Sequence, residues 1–278
     1  MKHSAFLLYI IFSLAAFCLH AQQIKIGNHT FPGGGEYQGE MLKGKPYGTG
    51  KTVYPNGDYH EGQYVKGKRQ GQGIYQFADG EKYDGEWYQD QQHGNGTYYF
   101  ANNNRYEGLW FRDYQQGQGT MYYYNGDIYV GSWFQDKREG AGRYTYAQGG
   151  AYYEGEWKND LREGRGIMTW PSGVTYDGEW KNDEMNGYGT ATEFAGQVLM
   201  ATYEGEFVNG IYHGYGIYTY SDVGIYEGNG SFVVWPEGGI YKGEFELISA
   251  AGKVVVPAEV KVYPFNLESP GVSYGMWV

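Results

Sequence analysis

Tyr176-Asp177-Gly178-Glu179-Trp180 is the stretch that decides how this chain folds, because close copies of it recur along most of the sequence. Two such copies are Tyr153-Glu154-Gly155-Glu156-Trp157 and Tyr83-Asp84-Gly85-Glu86-Trp87. Aligned on the central glycine, the series runs through Gly39, Gly62, Gly85, Gly108, Gly131, Gly155, Gly178, Gly205 and Gly228. The steps are 23, 23, 23, 23, 24, 23, 27 and 23 residues. A fixed period of this length indicates a repeat architecture.

A second motif, Gly-x-Gly, begins nine residues after the central glycine of each unit. The pairs are Gly48/Gly50, Gly71/Gly73, Gly94/Gly96, Gly117/Gly119, Gly140/Gly142, Gly164/Gly166, Gly187/Gly189 and Gly214/Gly216. The offset is kept in units whose overall lengths differ. Insertions therefore fall outside this shared core.

Both halves of the unit alternate with period two, which predicts β-strands. Tyr176, Gly178 and Trp180 fall on one face, whereas Asp177 and Glu179 fall on the other. Glycine in a strand marks a close approach by another group. We expect the rings to lie over the bare backbone of the neighbouring strand.

Turn-forming pairs close both ends of the unit. Asn56-Gly57 and Asp79-Gly80 precede first strands, and these dipeptides predict two-residue hairpin turns in which both residues have positive φ. Asn102-Asn103 replaces such a pair in the third unit, since asparagine also tolerates positive φ. Lys66-Gly67 and Asn159-Asp160 follow first strands. Two strands per unit then give a meandering antiparallel sheet.

The motif Tyr-Glu-Gly-x-Trp, followed by Gly-x-Gly and a turn glycine at a 23-residue period, resembles the MORN (membrane occupation and recognition nexus) repeat. The resemblance implies an all-β fold: an elongated, twisted, single-layer antiparallel sheet built from β-hairpins. The glycine series gives about eight to nine such repeats, and the segment after them is expected to form a short C-terminal cap. It also implies a scaffold role, with self-association or lipid binding in some members. Units depart from the pattern at His60, Tyr64 and Glu193.

Four segments are expected: a signal peptide at 1–21, a lead-in or cap at 22–36, the repeat array at 37–246 and a C-terminal cap or tail at 247–278. The first segment combines a basic start with an apolar run, and cleavage after Ala21 would export the protein. An uncleaved anchor and a lipoprotein modified at Cys18 are the alternatives. Cys18 is the only cysteine of the chain.

Composition restricts the ligands. A net charge of -11 disfavours nucleic acid as a partner and makes membrane lipid a poor one. Gly48-Thr49-Gly50-Lys51-Thr52 lacks the spacing of a phosphate-binding loop. No motif for catalytic residues, a cofactor or a metal is found, so we expect a protein that is not an enzyme and has no cofactor. The regular carboxylates beside the central glycines are interpreted as a solvated face rather than as cation ligands.

One aromatic row is the candidate interaction surface, because a single sheet normally needs a second layer to cover its apolar face. It consists of Trp87, Trp110, Trp133, Trp157 and Trp180. The first hypothesis is an exported, non-catalytic scaffold that binds protein partners, including a second copy of itself. The alternative is a carbohydrate-binding protein that stacks envelope glycans on these rings, and phospholipid binding is less favoured.

Overall fold

A computed structural model describes residues 23–195, 198–220, 224–229, 240–245 and 261–264, and all regular secondary structure in these ranges is β-strand. The strands are β1 Lys25–Thr30, β2 Glu36–Leu42, β3 Lys45–Val53, β4 Tyr59–Val65, β5 Lys68–Gln76, β6 Lys82–Tyr88, β7 Gln91–Tyr99, β8 Arg105–Phe111, β9 Tyr114–Tyr122, β10 Ile128–Phe134, β11 Lys137–Thr145, β12 Tyr152–Lys158, β13 Leu161–Thr169, β14 Thr175–Lys181, β15 Glu184–Ala195, β16 Val198–Val208, β17 Ile211–Tyr220, β18 Gly224–Asn229, β19 Ile240–Phe245 and β20 Lys261–Pro264.

The chain forms two compact units. The first contains the described residues up to Asn103 together with Leu109–Asp113, and the second contains Asn104–Gly108 and those from Tyr114 onward. In the first unit β1 to β7 pair in chain order as antiparallel neighbours. In the second unit β9 to β18 do the same. The predicted fold class, an antiparallel sheet built from hairpin repeats, is confirmed.

Additional strands flank the repeats. β1, from the segment predicted as a lead-in, pairs with β2 of the first repeat. β19 pairs parallel with β18, and β20 pairs antiparallel with both. Apart from β20, the segment 247–278 lies outside the described residues, as does 1–21. The C-terminal cap and the signal peptide therefore stay predictions.

Type I′ turns join the two strands of each repeat, with positive φ at both central residues. Lys66 and Gly67 have φ of 53° and 84°, and Asn159 and Asp160 have 49° and 70°. Such turns twist in the sense that antiparallel strands require, which allows hairpins to follow one another without a break.

Asn-Gly and Asp-Gly pairs lie in longer loops, so the prediction of two-residue turns at these pairs is wrong. In the loop of Asn56-Gly57 only the glycine has positive φ, 93°. Tyr54 N–H donates to the Asp58 carbonyl at 2.9 Å, and Gly57 N–H donates to the Tyr54 carbonyl at 3.0 Å. Asn103, with φ of 66°, takes the glycine position in the third repeat.

The expected approach of ring to bare backbone is confirmed. Gly85 of β6 lies opposite Gly96 of β7, and a Cβ on Gly96 would overlap the Tyr83 hydroxyl. Tyr83 Oη donates to the Glu86 carbonyl at 2.8 Å. The tyrosine thus lies flat across the glycine pair and fixes the strand that carries it.

Candidate interaction surface

The ring face, defined as the sheet side that carries the lead tyrosine and the tryptophan of each repeat, is covered by its own side chains. Tyr153 contacts Trp157 of its own repeat and Trp180 of the next, with ring centroids 5.2 and 5.1 Å apart and planes nearly perpendicular. Edge-to-face packing of this kind is favourable for aromatic pairs. The same arrangement links Tyr83 to Trp87 and Trp110 in the first unit.

All five tryptophans predicted as an interaction surface are buried, with 5 or 6% of each residue exposed. Every indole N–H is also satisfied within the chain, since it donates to the carbonyl of the second Gly-x-Gly glycine one repeat earlier. The pairs are Trp87 to Gly73, Trp110 to Gly96, Trp133 to Gly119, Trp157 to Gly142 and Trp180 to Gly166, at 3.0, 3.1, 3.3, 3.1 and 3.0 Å. Their rings act in packing, so an accessible surface has to come from other side chains.

The acidic face is the opposite side of the sheet, and its carboxylates do more than face solvent. Glu86 Oε1 accepts the Asn95 N–H at 2.9 Å, and Glu40 Oε2 accepts the Thr49 N–H at 2.7 Å. Both amides lie between the glycines of a Gly-x-Gly pair, where the strand bulges. The glutamate after the central glycine therefore holds the bulge, a role that the sequence interpretation missed.

Within this acidic face the first unit carries an exposed patch, defined as Tyr88, His93, Leu109 and Phe111. Tyr88 and Phe111 are 50 and 46% exposed, and Leu109 is 39% exposed. The His93 ring lies between the two aromatic rings, with centroid distances of 5.6 Å to Tyr88 and 5.2 Å to Phe111. Leu109 occupies the position that Glu86 holds in the preceding repeat. An apolar group therefore interrupts the row of acids here.

A cleft on the acidic face of the second unit has a different character. Its volume is about 640 Å³, and its lining includes Phe134, Glu139, Glu156, Lys158 and Glu163. Phe134 is 50% exposed and holds the repeat position of Tyr88 and Phe111. Three carboxylates against one ammonium make the cleft acidic. These aromatics can be found in the sequence, because each directly follows the tryptophan of its repeat. The period-two alternation therefore places them on the same face as the acids.

Metal-ligating side chains do not cluster in the described ranges. No set of three or more His, Cys, Asp or Glu side chains there could hold a metal ion. His60 is buried, and burial, assisted by the charge of Arg69, lowers its pKa to about 3. As for membranes, the described residues include no helix with the length and apolar character needed to span one.

Solved structures similar to this chain have low identity to it. The wild-type TCP10 domain of Danio rerio CPAP shares 15% identity over 70% of this chain and 89% of that chain, with a TM-score of 0.39. That domain in complex with a peptide of Danio rerio STIL gives 12% identity, 77% and 96% coverage and a TM-score of 0.41. Virginiamycin B lyase from Staphylococcus aureus gives 11%, 79% and 73%, with 0.13. At these TM-scores none of the three bears on function.

A comparison with curated proteins gives no match. The family model of the MORN repeat does match, eight times in succession, over residues 37–59, 60–82, 83–105, 106–128, 129–151, 153–175, 176–192 and 203–222. These segments cover more than half of the chain and coincide with the hairpins described above. The resemblance inferred from the pentapeptide and its period is therefore confirmed, and the chain belongs to the MORN repeat family.

Proposed function

We propose that this protein is a non-catalytic scaffold that binds another protein through the acidic face of its sheet. The exposed patch of Tyr88, His93, Leu109 and Phe111 is the observation that carries the proposal. Contiguous apolar groups at a surface are typical of interaction sites, and aromatic side chains are enriched in protein interfaces. The buried tryptophans support the choice of this face over the ring face.

The partner we infer presents apolar side chains flanked by lysine or arginine. Asp84 and Glu86 share a strand and a face with Tyr88, because side chains alternate along a strand. The protein also has a net charge of -11, which speeds encounter with a basic partner and repels an acidic one. Apolar contact then supplies affinity, and the surrounding carboxylates supply selectivity.

Affinity capture from the native cell envelope tests the proposal. The bait is the full chain, compared with a Tyr88→Ser/Phe111→Ser variant and with Tyr124→Ser, which removes a 76% exposed loop tyrosine outside the patch. A protein retained by the wild type and by the loop variant, and lost with the double variant, supports the proposal. The dissociation constant of that protein should be about tenfold or more higher for the double variant than for the wild type, as expected for loss of central aromatic anchors.

Other partners are separated by parallel measurements. Light scattering measures self-association. A mass twice that of the monomer for the wild type, and a monomer mass for the patch variant, would identify the partner as a second copy of the chain. Retention on insoluble polysaccharide or flotation with anionic liposomes, each unchanged in the patch variant, would instead favour glycan or lipid binding at another surface. Equal capture by wild type and patch variant contradicts the proposal.

The proposal includes export from the cell, which residues 1–21 support through their basic start and apolar run. Mass spectrometry of the protein recovered from its own cells should find Gln22 as the first residue. A chain that retains Met1 would count against export by this route.

A further inference from the structure

The seventh repeat lacks the side chains that fill the ring face elsewhere. Two positions after the second Gly-x-Gly glycine, the second to sixth repeats have a tyrosine or a methionine, such as Tyr98 or Met168, and the seventh has Ala191. Two positions further on, the aromatic residue of every earlier repeat is replaced by Glu193. Removing large buried groups leaves a cavity unless the neighbours collapse into the space.

A cleft of about 340 Å³ lies at this place, lined by residues that include Trp170, Tyr176, Glu193, Phe207 and Tyr212. That volume is at the small end of ligand sites, which suits a small molecule or a single side chain. Tyr212 Oη lies 3.3 Å from Glu193 Oε1, so the carboxylate is positioned beside an aromatic wall. None of the described residues that line the cleft is lysine or arginine.

In three other repeats, the corresponding place is filled by an arginine of the protein itself. Arg162 Cζ lies 4.2 Å from the Trp180 ring centroid, and Arg162 Nε lies 3.1 Å from Asp183 Oδ1. Arg69 and Arg138 make the same contacts with the tryptophan and the turn aspartate of the repeat that follows each of them. These are intramolecular cation-π and ion-pair contacts.

Met185 of the seventh repeat stands in the arginine position. Phe207 and Gly210 of the eighth repeat stand in the positions of the tryptophan and the aspartate. The aromatic walls are kept and the cation is missing. A carboxylate is still present in the lining, but it belongs to Glu193, on the same strand as Met185.

We propose that this cleft binds an organic cation, a guanidinium or primary ammonium group on a short aliphatic stem, with its charge at Glu193 and its stem against the aromatic rings. The cation takes the place that an internal arginine has in three other repeats. It arrives either as a free small molecule or as a lysine or arginine side chain of a peptide.

Isothermal titration of the full chain with n-butylguanidinium tests the site, with the neutral n-butylurea as matched probe. We expect saturable binding of the cation to one site and no binding of the urea. Glu193→Gln keeps the size of the side chain and removes its charge. It should weaken binding of the cation by about tenfold or more, because hydrogen bonds between charged groups are stronger than those between neutral ones. A Gly-Gly-Arg-Gly-Gly peptide that binds more tightly than butylguanidinium would assign the site to a protein side chain.

Met185→Arg supplies the missing internal cation and should abolish binding of the probe. Gln115→Arg is the control, because Gln115 has the same repeat position and already donates its N–H to Asp136 at 2.8 Å, far along the sequence from the cleft. That variant should bind butylguanidinium as the wild type does. Equal binding of the urea and the guanidinium, or unchanged affinity in Glu193→Gln, overturns the proposal.

Discussion

At the scale of single residues, the second repeat shows two substitutions that compensate each other. His60 replaces the lead tyrosine, and its ring makes no bond equivalent to the one that Tyr83 Oη donates to the Glu86 carbonyl. Tyr64 replaces the tryptophan, and its hydroxyl lies 2.8 Å from His60 Nδ1 and 2.6 Å from Thr52 Oγ1. Both replaced side chains are buried. His60 Nε2 has no hydrogen-bond partner among the described residues.

We expect His60 to make the protein less stable in acid. Its pKa is lowered from 6.5 to about 3, first by burial and then by the charge of Arg69. Between those values the unfolded chain binds a proton that the folded chain does not, so the free energy of unfolding falls as pH decreases, by up to about 1.4 kcal/mol per pH unit. Urea unfolding between pH 7 and pH 4 measures this slope.

The control is His60→Tyr/Tyr64→Trp, which restores the side chains of the other repeats and removes the histidine. Carboxylates contribute to acid sensitivity in both proteins, so the difference between their slopes isolates His60. A double variant with the same slope as the wild type would show that His60 is protonated in the folded protein.

The sequence predicted these faces and glycines but not the compensation. Period two places His60 and Tyr64 on the ring face, and the motif identifies both as departures. Their bonding depends on Thr52, which lies in the neighbouring strand twelve residues away. Likewise, burial of the tryptophans depends on tyrosines of the same and the adjacent repeat, whereas a linear pattern indicates only the side of a strand.

At the scale of elements, an arginine clasp joins successive hairpins. Arg138 of β11 donates from Nη2 to the Asp160 carbonyl at 2.7 Å, and its backbone N–H donates to Asp160 Oδ1 at 3.0 Å. Its guanidinium lies 4.2 Å from the Trp157 ring centroid. Asp160 belongs to the type I′ turn after β12, so the clasp fixes that turn to the preceding hairpin. Gln115 keeps only the backbone contact to its turn aspartate among the bonds described for it.

Arg138→Gln should therefore destabilise the protein by about 1–2 kcal/mol, since it loses a cation-π contact and a charge-assisted hydrogen bond. Equilibrium unfolding in urea measures the change. The matched control is Arg143→Gln, whose ion pair with Glu154 at 3.6 Å and cation-π contact with Tyr152 at 4.0 Å both involve a half-exposed guanidinium, so its loss should cost less, about 0.5–1 kcal/mol. Equal effects at the two positions would contradict a structural role for the clasp.

The clasp also marks a limit of prediction from sequence at this scale. Strand number and pairing follow from the glycine spacing, and the pairs after first strands were correctly interpreted as turns. The function of the turn aspartate could not be predicted, because Asp160 reaches a residue 22 positions earlier. The longer loops were missed because Asn-Gly also fits a turn in which glycine alone has positive φ.

At the scale of the whole molecule, both units are stabilised by lead tyrosines that must stay uncharged. They are buried, and burial raises the pKa of each above the ordinary value of 10: Tyr83, Tyr106, Tyr129, Tyr153, Tyr176 and Tyr203. Tyr37, in the first repeat, is raised to about 12. Each repeat carries its own copy of the lead tyrosine, so the contribution of one such residue to the free energy of unfolding is repeated along the array.

We therefore predict steep alkaline unfolding. Above pH 10 the unfolded chain loses tyrosine protons that the folded chain keeps, so stability that is present below pH 10 is lost as pH rises. The losses of stability from the individual buried tyrosines add together. Tyrosinate absorbance should first report exposed residues such as Tyr124, and the buried set should then ionise together with the loss of β-sheet circular dichroism.

Tyr129→Phe loses a 3.0 Å hydrogen bond to the Ser132 carbonyl, so it should be about 1 kcal/mol less stable at pH 7. The same variant should unfold less steeply in alkali, because one titrating group is gone. Smooth ionisation of all tyrosines near pH 10 with the sheet intact would mean that the ring face is open to water, and the packing that defines each repeat would not hold in solution.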